Sequence, residues 1–306
     1  MEYCPFDIDP VVEKFDLESI FVDTSYGPLA VRVSRERSSR IATLYIHGVG
    51  ADWTTWTPML QAAAAARLQV HDQILIDLPG FGDSPNRVGR LPIADVGATV
   101  LNVVAELGYS KVRVVAHSMG GFLTLDMASR YPEKMESIHI VAGSYFSILE
   151  TIQHPLKSFA HNAIVAATFG TLYRASQTGP VGVSAIRALY ELGLFRLFLF
   201  PVASHPFHLR QSVVKSLSYQ YNPAGVIQTA ANGPGYDADR QWSLIRCPIW
   251  ATFADRDCLV PPPDMARLLR CQPSAKCTML TDSSHMMHLE RPFDVLSALD
   301  LWAKES

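Results

Sequence analysis

The chain has 306 residues, of which 48% are hydrophobic and 18% charged, with a formal net charge of -3. That is long enough for one large α/β domain carrying an inserted lobe, and too apolar for a disordered chain. No basic excess speaks for nucleic acid, and the one basic cluster, Arg35 to Arg40, is short, contains Glu36 and reads as a solvated turn.

Ser19 to Asp23 and Leu29 to Ser34 flank Tyr26-Gly27-Pro28 and predict a hairpin. Ile41 to Ile46 is a nearly continuous apolar run ending at His47-Gly48. Gln73 to Leu78, Lys111 to Ala116 and Ser137 to Ala142 are three more. Runs of this kind are what strands buried on both faces require. Between them, Trp56 to Leu68, Ile93 to Leu107 (ending at Gly108) and Gly120 to Ser129 have helical spacing. Strand and helix in alternation predict a mostly parallel, doubly wound sheet with helices on both faces.

The rhythm breaks at Ser144. Residues 144–240 are rich in Leu, Phe, Ala and Tyr at helical spacing and show no buried strand. The βα rhythm returns at Pro248 to Phe253, with a helix near Asp264 to Arg270, a strand over Lys276 to Leu280 and a helix over Phe293 to Lys304. The reading is a core of residues 1–143 and 241–306, split by a helical insertion too long for an ordinary loop.

Val114-Val115-Ala116-His117-Ser118-Met119-Gly120-Gly121 runs from a strand into a helix. A serine on such a sharp turn has its hydroxyl raised above the sheet, with small residues two before and two after it. Ala116 and Gly120 meet that demand. A serine needs a base, and reactive groups gather at the carboxyl ends of parallel strands. His285 lies just past the last predicted strand, with His288 three residues on as a second choice. His117 adjoins the serine, but the turn is expected to point it elsewhere. His205 and His208 lack a carboxylate or cysteine at ligand spacing, so no metal site is expected. An acid that orients the base belongs past another strand end, where Asp255 and Asp257 both stand. The order Ser, Asp, His is that of the fold with this serine turn.

With these motifs the chain resembles the α/β-hydrolase superfamily over nearly its whole length. The likeness rests on His47-Gly48-Val49-Gly50, Asp77-Leu78-Pro79-Gly80-Phe81-Gly82-Asp83-Ser84, Ala116 to Gly121, Asp257-Cys258-Leu259-Val260-Pro261 and His285 through Pro292. The resemblance implies Ser118 as nucleophile, His285 as base and Asp257, four residues before the proline, as the acid. It implies an oxyanion hole from the backbone N–H groups of Val49 and Met119, and a helical cap formed by the insertion. Two departures stand out: Ala116 at a usual glycine, and Ser283-Ser284 where a small residue and glycine are common.

The expected chemistry is hydrolysis of an ester-type bond (carboxylic ester, lactone or thioester) through an acyl-enzyme, with no metal or organic cofactor. Ser118 argues against the relatives that use an aspartate nucleophile. Two alternatives stay open. One is a carbon–carbon bond hydrolase of the meta-cleavage type, whose histidine is usually followed by tryptophan where Met286 stands. The other is a non-hydrolytic lyase, cyclase or ligand receptor. Phe146, Phe159, Phe169, Tyr173, Tyr190, Phe195, Phe198 and Phe200 are expected to form mostly the insertion's own core, and otherwise a pocket for a small, largely apolar substrate. The run Leu194 to Phe200 is expected to be buried rather than to touch a membrane.

The N-terminus shows no basic region followed by an apolar run, so no signal peptide is expected. No apolar run reaches membrane-spanning length. The five cysteines, Cys4, Cys247, Cys258, Cys271 and Cys277, include no C-x-x-C pair and fit reduced thiols in a cytoplasmic protein.

Overall fold

The computed structural model describes residues 2–68, 70–85, 91–161 and 163–299. The side chain of Phe159 and the expected helix beyond residue 299 lie outside the described residues. Among the described residues, eight strands form one sheet: β1 Leu17–Val22, β2 Leu29–Ser34, β3 Ile41–Ile46, β4 Gln73–Ile76, β5 Lys111–His117, β6 Met135–Val141, β7 Ile249–Ala254 and β8 Lys276–Leu280. Their spatial order is β1-β2-β4-β3-β5-β6-β7-β8. The hairpin β1–β2 and the pair β2–β4 are antiparallel, and every other pair is parallel.

Burial follows the apolar runs. All four residues of β4 are buried, as are the last five of β3 and of β6. Strand β8, at the sheet edge, has no fully buried residue. Helices α1 Thr57–Ala65, α2 Ile93–Glu106 and α3 Met119–Arg130 connect the parallel strands, and Gly108 turns the chain out of α2 with φ +89°. The chain runs from β3 to β4 on one side, then to β5 on the other. The order therefore reverses between β3 and β5, and the crevice beyond their carboxyl ends is where open α/β sheets hold ligands. His47-Gly48 and Ser118 occupy those two ends.

Among the described residues, seven α-helices lie between β6 and β7: α4 Phe146–Gln153, α5 Pro155–His161, α6 Ala163–Gln177, α7 Pro180–Glu191, α8 Gln211–Tyr219, α9 Pro223–Ala230 and α10 Ala238–Trp242. The first and last join the sheet's own core through Phe146, Leu149, Ala238 and Trp242. Phe195, Leu199, Leu209, Val213 and Val214 form a separate apolar cluster with Cys4 and Leu289. The run Leu194 to Phe200, expected to be buried, is buried only in part. Phe195 and Leu199 are buried, whereas Leu194, Leu197, Phe198 and Phe200 are exposed. The segment is a 3-10 turn, Phe195–Leu199, and so tight a spiral cannot turn every side chain of an apolar run inward. After β7 come α11 Pro262–Cys271, α12 Met287–Glu290 and α13 Pro292–Leu299.

Histidine burial makes the fold acid-sensitive. His139 on β6 stacks on Trp250 with ring centroids 4.7 Å apart and donates from Nδ1 to the Leu299 carbonyl at 2.7 Å. Burial depresses its pKa from 6.5 to about 3. The unfolded chain binds a proton in that window and the folded chain does not. The stability is therefore complete above about pH 6.5 and is lost as pH falls toward about 3. Each such histidine contributes a slope of about 1.4 kcal/mol per pH unit. Urea unfolding between about pH 6 and pH 4 should show His139→Gln with a slope shallower by about that amount. An unchanged slope would mean that His139 already carries its proton in the folded chain.

Candidate active site

Ser118 sits between β5 and α3 at φ +51°, ψ -117°, a left-handed conformation that a non-glycine residue holds only when its surroundings enforce it. They do so here. Its N–H donates to the Val141 carbonyl, and its own carbonyl accepts from the N–H groups of Gly121, Phe122 and Ser144. Gly120 is required by space: a Cβ there would lie 2.5 Å from the Ile46 carbonyl oxygen. Ala116 is accommodated as a fully buried residue of β5, in register with Ile46 and Ile140.

The Ser118 hydroxyl donates to His285 Nε2 at 2.8 Å, and His285 Nδ1–H donates to Asp257 Oδ2 at 2.9 Å. All three residues are buried. The other Asp257 oxygen accepts the N–H groups of Leu259 at 2.7 Å and Val260 at 3.1 Å. The carboxylate is thus held by its own loop while it meets the imidazole. A hydroxyl bonded to an imidazole that is bonded in turn to a buried carboxylate can be activated as a nucleophile.

Asp255 takes another place. It is exposed, and its oxygens accept the N–H groups of Asp282 and Ser283, tying the β7 loop to the histidine loop. Ser284, at a usual glycine, donates its N–H to Glu290 and its hydroxyl to the Arg256 carbonyl. Glu290 also accepts from Tyr3 and Ser204, so the histidine loop is braced by the N-terminal segment and by the insertion.

The loop after β3 closes on the serine. A Cβ on Gly48 would come within 3.1 Å of the Ser118 Cβ and 2.7 Å of His117 Nδ1. His47 shapes this loop, donating from Nδ1 to the Gly48 carbonyl and accepting the Leu78 N–H on Nε2. Buried Asp77 pairs with Arg32 at 2.7 Å and accepts the Trp53 and Asp83 N–H groups. Among the described residues, neither the Val49 nor the Met119 N–H has an acceptor. Two such donors are what an oxyanion would use.

His117 turns away from the Ser118 hydroxyl and reaches the histidine loop, donating from Nε2 to the His285 carbonyl at 3.0 Å. Its ring packs 4.2 Å from that of His288, whose Nε2 meets the Thr55 hydroxyl at 2.8 Å. Burial holds both imidazoles neutral, pushing His288 down to about 3. His288, the second choice for a base, is occupied with Thr55 and does not contact Ser118.

Sequence reasoning missed Ser144. Its hydroxyl lies 3.4 Å from that of Ser118, and it starts the insertion just beyond the end of β6. A position past a parallel strand next to β5 was the available signal. The hydroxyl can solvate the Ser118 oxygen as charge moves off it. Losing one such weak hydrogen bond should cost about 1 kcal/mol. Ser144→Ala should therefore lower kcat for any substrate that Ser118 attacks roughly three- to tenfold with KM little changed. An unaltered kcat would assign Ser144 to structure alone.

The model of the alpha/beta hydrolase fold family matches residues 43–292. A dihydrolipoyllysine-residue acetyltransferase component of the acetoin cleaving system of Pseudomonas putida is 28% identical over 153 residues, 45% of this chain and 40% of that protein. The chain spans less than half the length of the first curated relatives it matches. Naproxen esterase from Bacillus subtilis superposes with a TM-score of 0.66 at 18% identity, covering 92% of this chain and 89% of that one. The enol-lactonase from Burkholderia xenovorans superposes at 0.69 with 16% identity, covering 93% and 100%. At such identities the structural likeness speaks for the fold alone. The family match takes in β3 through the start of α13, with Ser118, Asp257 and His285 inside it, and the chain belongs to the alpha/beta hydrolase fold family of enzymes.

Proposed function

We propose that the chain is a serine esterase that cleaves an ester-type bond of a small, largely apolar substrate through an acyl-enzyme. The continuous hydrogen-bond relay from Ser118 through His285 to Asp257 carries this reading. Ser118 Oγ attacks the carbonyl carbon as His285 Nε2 takes its proton. Asp257 stabilises the imidazolium and keeps the other ring proton on Nδ1. The N–H groups of Val49 and Met119 receive the oxyanion, a contribution of roughly 3–4 kcal/mol for one donor in comparable sites. His285 then protonates the leaving alcohol, draws a proton from water and lets the hydroxide release the acid, restoring Ser118.

The helical insertion is read as a cap. Its Gln220 bonds Asp52, its Asn222 bonds the Gly80 carbonyl, and its Thr229 hydroxyl lies 2.8 Å from Met119 Sδ. These contacts meet the core on the loops that flank Ser118. Leu78, Phe81, Met119, Phe122 and Thr229 line a small, mostly apolar cavity beside the nucleophile turn. The likeness in fold to an esterase and an enol-lactonase agrees with an ester-type bond.

A series of p-nitrophenyl esters from acetate to octanoate, with a lactone and a thioester, tests the proposal. Turnover of at least one class is expected, together with labelling by a fluorophosphonate probe. If wild-type protein turns over none of them and takes no label, the esterase reading is wrong.

A further inference from the structure

The apolar run between α7 and α8, expected to be buried, is instead displayed. Leu192, Leu194, Leu197, Phe198, Phe200 and Phe207 are all exposed, the three phenylalanines at 60, 54 and 58%. A 3-10 spiral repeats every three residues, which puts Leu194, Leu197 and Phe200 on one line. Phe200 and Phe207 join that line to the next turn, with ring centroids 6.1 Å apart. The display is built rather than frayed. Arg196 donates to the carbonyls of Pro206 and Leu209 and to the Gln211 side chain, stapling the two turns together from beneath. Of the large apolar side chains exposed among the described residues, all but Val11, Phe21 and Leu244 belong to the insertion. A cluster of this kind marks an interaction surface.

Charge says which kind. Over residues 144–240 the chain carries seven Lys or Arg and four acids, a formal charge of +3 in a protein of net -3. The rest of the chain therefore bears -6. Arg187, Arg210 and Lys215, on the helices and loop that flank the apolar turns, are exposed. Arg210 has Glu2 nearby at 3.6 Å, while Arg187 and Lys215 flank the Tyr219 ring. Protruding phenylalanine and leucine on a cationic lobe, backed by an anionic body, form a molecule polarised toward an anionic interface.

We propose that this face of the insertion docks on the surface of an anionic phospholipid bilayer, with the phenylalanines at headgroup depth and the flanking cations on the lipid phosphates. The contact is peripheral, since no described helix is long and apolar enough to cross a membrane. It is independent of the hydrolytic reading, because none of these side chains contacts Ser118, His285 or Asp257.

The test is co-sedimentation of the full chain with sucrose-loaded vesicles. One set is phosphatidylcholine alone and the other is phosphatidylcholine with an equal part of phosphatidylglycerol. Binding to the mixed vesicles is expected, about tenfold weaker on phosphatidylcholine alone and weakened by salt. The triple variant Phe198→Ser, Phe200→Ser, Phe207→Ser should lose at least about tenfold in partitioning while keeping its thermal melt and its probe labelling. Because more than half of each side chain is already in water, that variant should fold. Three results would overturn the proposal: no pelleting with the mixed vesicles, equal binding to both vesicle types, or binding untouched by the triple variant. A wild-type dimer in sedimentation equilibrium that the triple variant dissolves would assign the face to a second copy of the chain and overturn it as well.

Discussion

Ser118→Ala should lower turnover of any ester the wild type accepts by about 10⁴- to 10⁶-fold, the loss seen when a serine nucleophile acting in concert with its base is removed. The turn itself should survive. Ser118 is held by main-chain bonds to Val141, Gly121, Phe122 and Ser144, none of which needs its side chain. Alanine at φ +51° is no more strained than serine. The thermal melt should therefore stay close to wild type while the reaction disappears. Residual activity of a few per cent would be a contradiction, since the binding groups that remain cannot supply that much of the rate.

Asp257→Asn is the second large effect, with an expected loss of about 10⁴-fold in kcat. The reason is geometric. Oδ1 of Asp257 must keep accepting the N–H groups of Leu259 and Val260. An asparagine there can satisfy them only through its carbonyl oxygen, which turns its amide NH₂ toward His285 Nδ1. Two donors then face each other, so the ring moves its proton to Nε2. In that tautomer His285 cannot accept from Ser118. Asp255→Asn serves as the control. Asp255 is exposed and accepts only main-chain N–H groups from Asp282 and Ser283, a loss worth about threefold at most in rate. Steady-state kinetics on both variants decide between them. Full activity in Asp257→Asn with loss in Asp255→Asn would move the acid to Asp255.

The sheet was legible because β3, β4, β5 and β6 are largely buried on both faces, which calls for nearly continuous apolar runs. The strand ends were legible for the same reason, and with them Ser118 and His285. The acid was not decided by the residues alone. Asp255 and Asp257 both follow β7, and which one faces the imidazole depends on how the chain turns at residues 255–258. The family likeness favoured Asp257, and the structure brings that carboxylate to His285. Ser144 escaped notice because a serine after a strand is commonplace, and its nearness to Ser118 arises only when β5 and β6 pair. The insertion was legible as helical, but its inside and outside were not. Periodicity marks the buried stripe of an α-helix, whereas the 3-10 turn at Phe195–Leu199 buries two residues of an apolar run and exposes their neighbours.

The acyl-enzyme can be sought directly. Wild-type protein is mixed with a p-nitrophenyl ester that it turns over, quenched in acid within the first turnover, and analysed by intact mass and peptide mapping. The expected result is a mass increase of one acyl group on the peptide containing Ser118, absent from Ser118→Ala and accumulating in Asp257→Asn only at that variant's slow rate. Turnover without any adduct on Ser118, or an adduct on another residue that Ser118→Ala leaves intact, would contradict the mechanism.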